Sequence, residues 1–231
     1  VMTFFQKLME FERLEWFQSS AAGTEHPMIQ AVGKKAHLFS GSHEQSEAIA
    51  EWVLWAGLDY FQDGARRRKA QAEKNWTRLP FRELSGGEDT AANRMITPDR
   101  VLSVLNDVDV VLLSLPLTDE TENTADAAFF AAMQPGSLFV NVGRGGLVDE
   151  AALLTALDSD APGHAYLDVV REEPLPVENP IWAHPNITLT PHISALTEQA
   201  KIRTDGVFLK NLAAFLAGSP LRNAVSSDVF S

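Results

Sequence analysis

The sequence predicts an α/β protein, a doubly wound parallel sheet accompanied by a second, smaller domain. Beyond residue 98, apolar runs of strand length alternate with helical patterns, as in βα units whose sheet is covered on both faces. A long helical pattern over residues 44–75 stands between this region and the start of the chain. The composition completes the argument: 231 residues, 45% hydrophobic and 22% charged, describe a globular protein with length for one large domain or two small ones.

Each element has its own warrant. Over residues 44–75, Ile49, Trp52, Val53, Ala56 and Tyr60 recur at the three-and-four spacing of one helix face. The tail of this helix, Arg66-Arg67-Arg68-Lys69, suits a helix C-terminus and reads as a solvated face. Residues 79–90 form a loop by their proline, glycine and polar content. Residues 98–105 read as a helix, and residues 108–115 (VDVVLLSL) are a buried strand ended by Pro116. Residues 125–133 are helical, 138–142 (LFVNV) a strand, and 149–157 a helix with Asp149 as its N-cap. Residues 165–170 (AYLDVV) and 187–190 are further strands, and an amphipathic helix over 196–217 closes the chain. The predicted divisions are 1–43 with 196–231, an interdomain helix and linker over 44–84, and a sheet domain over 85–195.

Composition narrows the chemistry. Nineteen basic against thirty-one acidic residues give a net charge of −12, which opposes general affinity for nucleic acid or anionic lipid. An anionic substrate therefore needs a local positive site. The absence of cysteine removes disulfides, thiol nucleophiles and cysteine-ligated metals. The opening residues are interrupted by Lys7, Glu10, Glu12, Arg13 and Glu15, unlike the apolar run of a signal peptide, and a cytoplasmic protein is expected.

Ligands of such sheets gather at the carboxyl ends of the strands. There the sequence places Pro116-Leu117-Thr118, Gly143-Arg144-Gly145-Gly146, Arg171-Glu172-Glu173-Pro174 and Pro191-His192 in turn. One arginine, one carboxylate and one histidine thus stand at three strand ends of one rim. Singly, each has a plain reading as a surface turn, a loop carboxylate and a structural histidine; together they make an acid–base and anion-binding set. Gly143-x-Gly145-x-x-Val148, with Asp168 twenty residues further on, imitates a dinucleotide fingerprint. Val148 stands where the third glycine is needed for helix–strand packing, and Arg144 occupies the tight turn. His26, His37, His43, His164 and His184 have no such company and no metal-ligand spacing, so they are expected to be structural or surface residues, and no metal site is expected.

Asn141-Val142-Gly143-Arg144-Gly145, Leu167-Asp168-Val169 with Glu173-Pro174-Leu175-Pro176, and Thr190-Pro191-His192-Ile193 resemble, in order and spacing, the signature segments of the D-2-hydroxyacid dehydrogenases. That group contains phosphoglycerate, glyoxylate/hydroxypyruvate and D-lactate dehydrogenases. Ala48-Ile49-Ala50-Glu51-Trp52, Asp149-Glu150-Ala151-Ala152-Leu153 and Trp182 support the match, and Ser20-Ala21-Ala22-Gly23-Thr24 resembles the substrate-side loop. The resemblance implies a Rossmann-like sheet domain, a smaller substrate domain, NAD or NADP as cofactor, a small anionic 2-hydroxy or 2-keto acid as substrate, and a homodimer.

By the same resemblance, His192 exchanges a proton with the substrate oxygen, a task suited to imidazole, whose unperturbed pKa is about 6.5. Glu173 holds the far ring nitrogen and favours the imidazolium, and Arg144 grips the substrate carboxylate with backbone amides near Ala22 and Gly23. Pro116, Val142, Gly143, Arg144, Asp168, His192 and Ser194 are the implied cofactor-side residues; Ser194-Ala195 replaces the double glycine often found there.

The sequence departs from that family between Leu84 and Asn93. Members enter a strand, a GxGxxG turn, a helix and a second strand at this point, whereas Gly86-Gly87 here passes directly to EDTAANRMITPDR. The difference is on the order of 30 residues, and the start of the chain is short as well. Without that unit the pyrophosphate lacks its cradle, and VDVVLLSL has an unpaired apolar edge. The three explanations are segments of a longer chain outside this sequence, a deletion leaving a degenerate protein, and an edge supplied by another subunit. The preserved spacing of the other motifs favours the first. Two functions follow as expectations: a nicotinamide-dependent 2-hydroxyacid oxidoreductase and, as the alternative, a noncatalytic relative acting as a binding or partner subunit.

Overall fold

The computed structural model describes residues 2–20, 23–76 and 96–230, which divide into two compact units, Val1–Ile49 with Ala195–Ser231 and Ala50–Ser194. In the smaller unit, α1 (Met2–Glu10) and α2 (Pro27–Lys35) accompany a two-stranded parallel sheet of β1 (Leu14–Gln18) and β2 (Ala36–Ser40). The chain then runs through α3 (Ser46–Phe61) and α4 (Gly64–Ala72). In the larger unit follow β3 (Val110–Leu113), α5 (Ala127–Ala131), β4 (Leu138–Asn141), α6 (Glu150–Leu157), β5 (His164–Leu167) and β6 (Ile187–Leu189). The closing helix α7 (Glu198–Leu216) belongs to the smaller unit.

The larger unit is organised by a four-stranded sheet in the order β3-β4-β5-β6, with every neighbouring pair parallel. Alternation along the strands sends Leu113, Phe139, Ala165 and Leu167 into one core with Phe129 and Phe130 of α5 and Leu153 and Leu157 of α6. The Phe130 and Phe139 rings meet edge to face at 5.2 Å, with Phe130 wholly buried. Truncating such a ring to alanine costs about 3–5 kcal/mol. On the other face, Tyr166 packs edge-on against Trp52 and Trp55 of α3 at 6.3 and 5.6 Å. The sheet is therefore parallel and covered on both faces. Among the described residues β3 has no strand on its outer side, and Val110 and Leu112 are 37% and 44% exposed.

Local sequence sets the helix starts. The Asp126 carboxylate accepts from Phe129 N–H at the head of α5, and Asp149 accepts from Ala151 and Ala152 N–H at the head of α6. Thr197 caps α7 and the His26 ring caps α2. In the smaller unit, Trp16 stacks on Phe208 and Phe215 of α7. The fully buried Asn211 donates to Gln18 Oε1 and to the Arg222 carbonyl, fastening α7 to β1 and to the segment that follows it.

Three expectations are corrected. The helix over 44–75 divides at Gln62-Asp63, where Asp63 takes a left-handed φ of 57°, open to aspartate at low cost. The break is held by Arg68 of α4, whose guanidinium bonds both oxygens of Asp59 in α3, so the basic run is not simply a solvated face. Residues 98–105 form 3₁₀ turns (Pro98–Ser103 and Leu105–Asp107), in which Leu105 alone is buried, so no apolar stripe sustains an α-helix. The strand over 165–170 stops at Leu167, where Asp168 turns its side chain into the loop after β6. The loop reading of 79–90 lies outside the described residues. No helix among the described residues is long and apolar enough to cross a membrane, and no group of three or more metal-ligating side chains occurs among them.

Candidate active site

The four parallel strands deliver their carboxyl ends side by side, and the predicted residues of the larger unit stand there. At the end of β3, Pro116 opens a turn closed by Thr121, whose hydroxyl donates to the Pro116 carbonyl at 2.7 Å. At the end of β4, the buried Val142 donates its N–H to Leu113 O, so the β4 turn lies against the end of β3. Asn141, fully buried, fixes the next residues from both sides. Its Oδ1 accepts from Gly143 N–H and its Nδ2 donates to Arg144 O, each at 3.0 Å. The Arg144 guanidinium donates to the Gly143 carbonyl at 2.7 Å and is partly exposed.

After β5, Glu173 turns back toward the rim. One carboxylate oxygen accepts from Val170 N–H at 3.2 Å; the other meets His192 Nδ1 at 2.8 Å. A carboxylate oxygen accepting this bond requires the proton on Nδ1, which leaves Nε2 for a reacting oxygen. The His192 side chain is 49% exposed. Its backbone has a φ of 56°, the left-handed region that a histidine occupies only when its surroundings hold it there.

Asp168 does the holding. It is 1% exposed, and its carboxylate accepts from the Thr190 hydroxyl and from the N–H groups of Ile193 and Ser194, the latter two at 2.9 Å. The Asp168 carbonyl accepts the His192 N–H at 2.8 Å. The Asp168 carboxylate thus organises the loop that carries His192 and Ser194. An apolar recess lined by Val170, Leu175, Trp182 and Leu189 adjoins the Glu173–His192 pair.

The glycine turn resolves the imitation of a dinucleotide fingerprint. A Cβ on Gly145 would lie 1.9 Å from Val170 C and 2.3 Å from Arg171 N, and one on Gly143 would lie 2.9 Å from Leu115 O. The space a Cβ would fill at each glycine is taken by neighbouring backbone, which is why glycine stands there. The first turn of α6 is likewise served by the Asp149 carboxylate, which takes the N–H groups that a pyrophosphate would need. The turn over 143–148 therefore does not fit a pyrophosphate, while the rim itself fits the reactive end of a small-molecule site.

Gly23 lies in the smaller unit before α2, and Ala22 lies outside the described residues. Three structural supports went unread in the sequence. Asn141 holds the turn from both sides, Thr190 donates to Asp168, and Arg171 donates to the carbonyls of Gly146 and Val148. His164 bonds the Thr188 hydroxyl and His184 accepts from Asn186 N–H, so both serve the framework.

Comparison with known proteins agrees with this layout. Residues 66–194, more than half of the chain, match the family described as D-isomer specific 2-hydroxyacid dehydrogenase, NAD binding domain. Glyoxylate/hydroxypyruvate reductase B of Escherichia fergusonii is 40% identical over 127 residues, 55% of this chain and 39% of that protein. The chain thus spans about two fifths of the length of the curated relatives it matches. Among solved structures, a D-isomer specific 2-hydroxyacid dehydrogenase from Xanthobacter autotrophicus, in complex with NADPH and MES, superposes with a TM-score of 0.77 at 25% identity, covering 97% of this chain and 81% of that one. One from Aeromonas salmonicida gives 0.78 at 26% identity, covering 93% and 79%. By its sheet, its rim residues and this match, the chain belongs to the D-isomer specific 2-hydroxyacid dehydrogenase family.

Proposed function

We propose that the larger unit carries the acid–base and carboxylate-binding residues of an oxidoreductase that moves a hydride between NAD or NADP and a small 2-hydroxy or 2-keto acid. The observation that carries this reading is the 2.8 Å Glu173–His192 pair beside the turn that presents Arg144. His192 Nε2 gives a proton to the carbonyl oxygen during reduction and takes it back during oxidation. Glu173 fixes the ring tautomer and, through Val170 N–H, the ring's position. Arg144 offers a planar fork to the substrate carboxylate, the local positive site that a chain of net charge −12 requires. The nicotinamide, when bound, supplies or accepts the hydride. Val142, Gly143 and Ser194 are the positions we assign beside it. The relatives' names point to glyoxylate and hydroxypyruvate as the first substrates to try. A cytoplasmic homodimer is the setting we infer with it.

The passage of Gly86-Gly87 directly to EDTAANRMITPDR, without a GxGxxG unit, favours a second reading, a noncatalytic relative. NADH-dependent reduction of glyoxylate and hydroxypyruvate, with NADH fluorescence titration alongside, decides between them. His192→Asn should lower turnover by about 10²–10⁴-fold, the usual contribution of a general acid, and leave NADH affinity within about threefold. Undiminished turnover in that variant contradicts the assignment of His192. Absence of both turnover and NADH binding in the wild type supports the second reading.

A further inference from the structure

Arg171 follows β5 by four residues and has no part in the chemistry above. It nevertheless serves three segments of the rim, two through its guanidinium and one through its backbone N–H. The guanidinium donates to Glu122 Oε1 at 3.0 Å and to Asn123 Oδ1 in the turn after β3. It also donates to the carbonyls of Gly146 at 3.2 Å and Val148 at 3.0 Å, on the turn that presents Arg144. Its own N–H donates to Glu150 Oε1 at 2.7 Å in the first turn of α6. A surface ion pair alone would engage the carboxylate and leave the rest of the fork to water. Here the two terminal nitrogens divide the work: Nη1 faces Glu122, while Nη2 faces Asn123 Oδ1 and the two backbone carbonyls and shares its two hydrogens among them.

The remaining contacts of the turn show what this accomplishes. Arg144 O accepts from Asn141 and from Leu147 N–H, Gly146 O accepts from Asn123 N–H, and Leu147 O accepts from Ala125 N–H. With Gly146 O and Val148 O bound by Arg171, each carbonyl from Gly146 to Val148 has a donor. Gly145 lies directly on the Val170–Arg171 backbone, so the turn is pressed onto the segment from which the clamp extends.

We propose that Arg171 is a positioning residue: by clamping the 143–148 turn it sets the direction of Arg144 and so the affinity for the carboxylate of a 2-keto acid. This rests on the function proposed above for Arg144. It gives Arg171 a role in substrate binding without contact to the substrate.

The test is oxamate binding, measured calorimetrically on the NADH-loaded chain, with amide hydrogen exchange of the unliganded chain as a second readout. Arg171→Met should weaken oxamate on the order of tenfold. NADH affinity should be unchanged, and any turnover should show the defect in KM with kcat within about threefold. Exchange at the Leu147 and Val148 amides should quicken. Arg171→Lys, whose one nitrogen replaces the two that serve Glu122 and the turn carbonyls separately, should recover melting temperature without recovering oxamate affinity. If Arg144→Met abolishes oxamate binding while Arg171→Met binds like the wild type, the positioning role is overturned and the proposed function stands. Unchanged exchange at Leu147 and Val148 in Arg171→Met also overturns it. If Arg144→Met binds oxamate as the wild type does, or the wild type binds none, the proposed role of Arg144 fails and this inference with it.

Discussion

Replacing Gly145 with alanine introduces one methyl group where the structure has least room for it. The added Cβ would stand 1.9 Å from Val170 C, 2.0 Å from Val170 O and 2.3 Å from Arg171 N. These are backbone atoms and cannot swing aside, so the turn and the post-β5 segment must part by roughly 1.5 Å to regain an ordinary 3.4 Å contact. Overpacking of this kind costs about 1–3 kcal/mol. The separation also stretches the Arg171 bonds to Gly146 O and Val148 O, each worth about 1 kcal/mol. The expected loss is therefore about 3–5 kcal/mol, read as a lowered urea midpoint. Two controls bracket it. A Cβ on Gly146 would meet only the flexible end of Leu117, so Gly146→Ala should cost less. Gly206, inside α7, has nothing within 4 Å of its added Cβ, so Gly206→Ala should stabilise by about 0.5–1 kcal/mol. A Gly145→Ala midpoint equal to that of the wild type would refute the reasoning, because it would mean the turn can lift off the β5 segment freely.

Asp168→Ala removes the acceptor for Thr190, Ile193 and Ser194 and releases the left-handed turn at His192. It should cost about 2–4 kcal/mol and speed amide exchange over 190–194, and slow exchange there would contradict the role given to Asp168. A pH dependence follows from the Asp59–Arg68–Tyr166 cluster. The Arg68 hydrogen bonds hold the Asp59 carboxyl below its ordinary range, and burial, with Asp59 beside it, pushes the Tyr166 phenol up. The unfolded tyrosine ionises near pH 10 while the folded one keeps its proton, so this stability is complete below about pH 10 and falls as pH rises, by up to about 1.4 kcal/mol per unit. Asp59 acts at the other end, its contribution present above about pH 4 and lost on acidification. Urea midpoints between pH 9 and 11 should drop more for the wild type than for Tyr166→Phe; parallel slopes would dispose of the Tyr166 contribution.

The sheet was legible because its strands are apolar runs closed by proline, glycine or an acid, and because Asp149 announces a helix in chemical terms. The rim was legible for a related reason: parallel strands bring their carboxyl ends together, so Arg144, Glu173 and His192 could be grouped before any distance was known. What was hidden depends on partners distant in sequence. The break at Asp63 is held by Arg68 reaching back to Asp59, and its one local sign, the turn dipeptide Asp63-Gly64, stands inside an otherwise helical pattern. β1 is half-buried at every position, without the alternation that marks a strand. Gly145 reads as part of a nucleotide-binding turn, and only its distance to Val170, twenty-five residues away, reveals a packing glycine. Arg171 reads as an ordinary surface charge because two of its acceptors are main-chain carbonyls, which carry no signature in the sequence.

The contact between Gly145 and the Val170–Arg171 backbone has a consequence for how such a site can be altered. Arg144 leaves the chain next to that contact, and Glu173, which holds His192, leaves it three residues beyond Val170. The guanidinium and the imidazole are thereby mounted on one stiff gauge. Any change that lifts the turn from the post-β5 segment therefore moves both groups at once. Redesign toward a new substrate should therefore leave residues 143–148 and 168–173 untouched and vary the side chains that face the rest of the molecule.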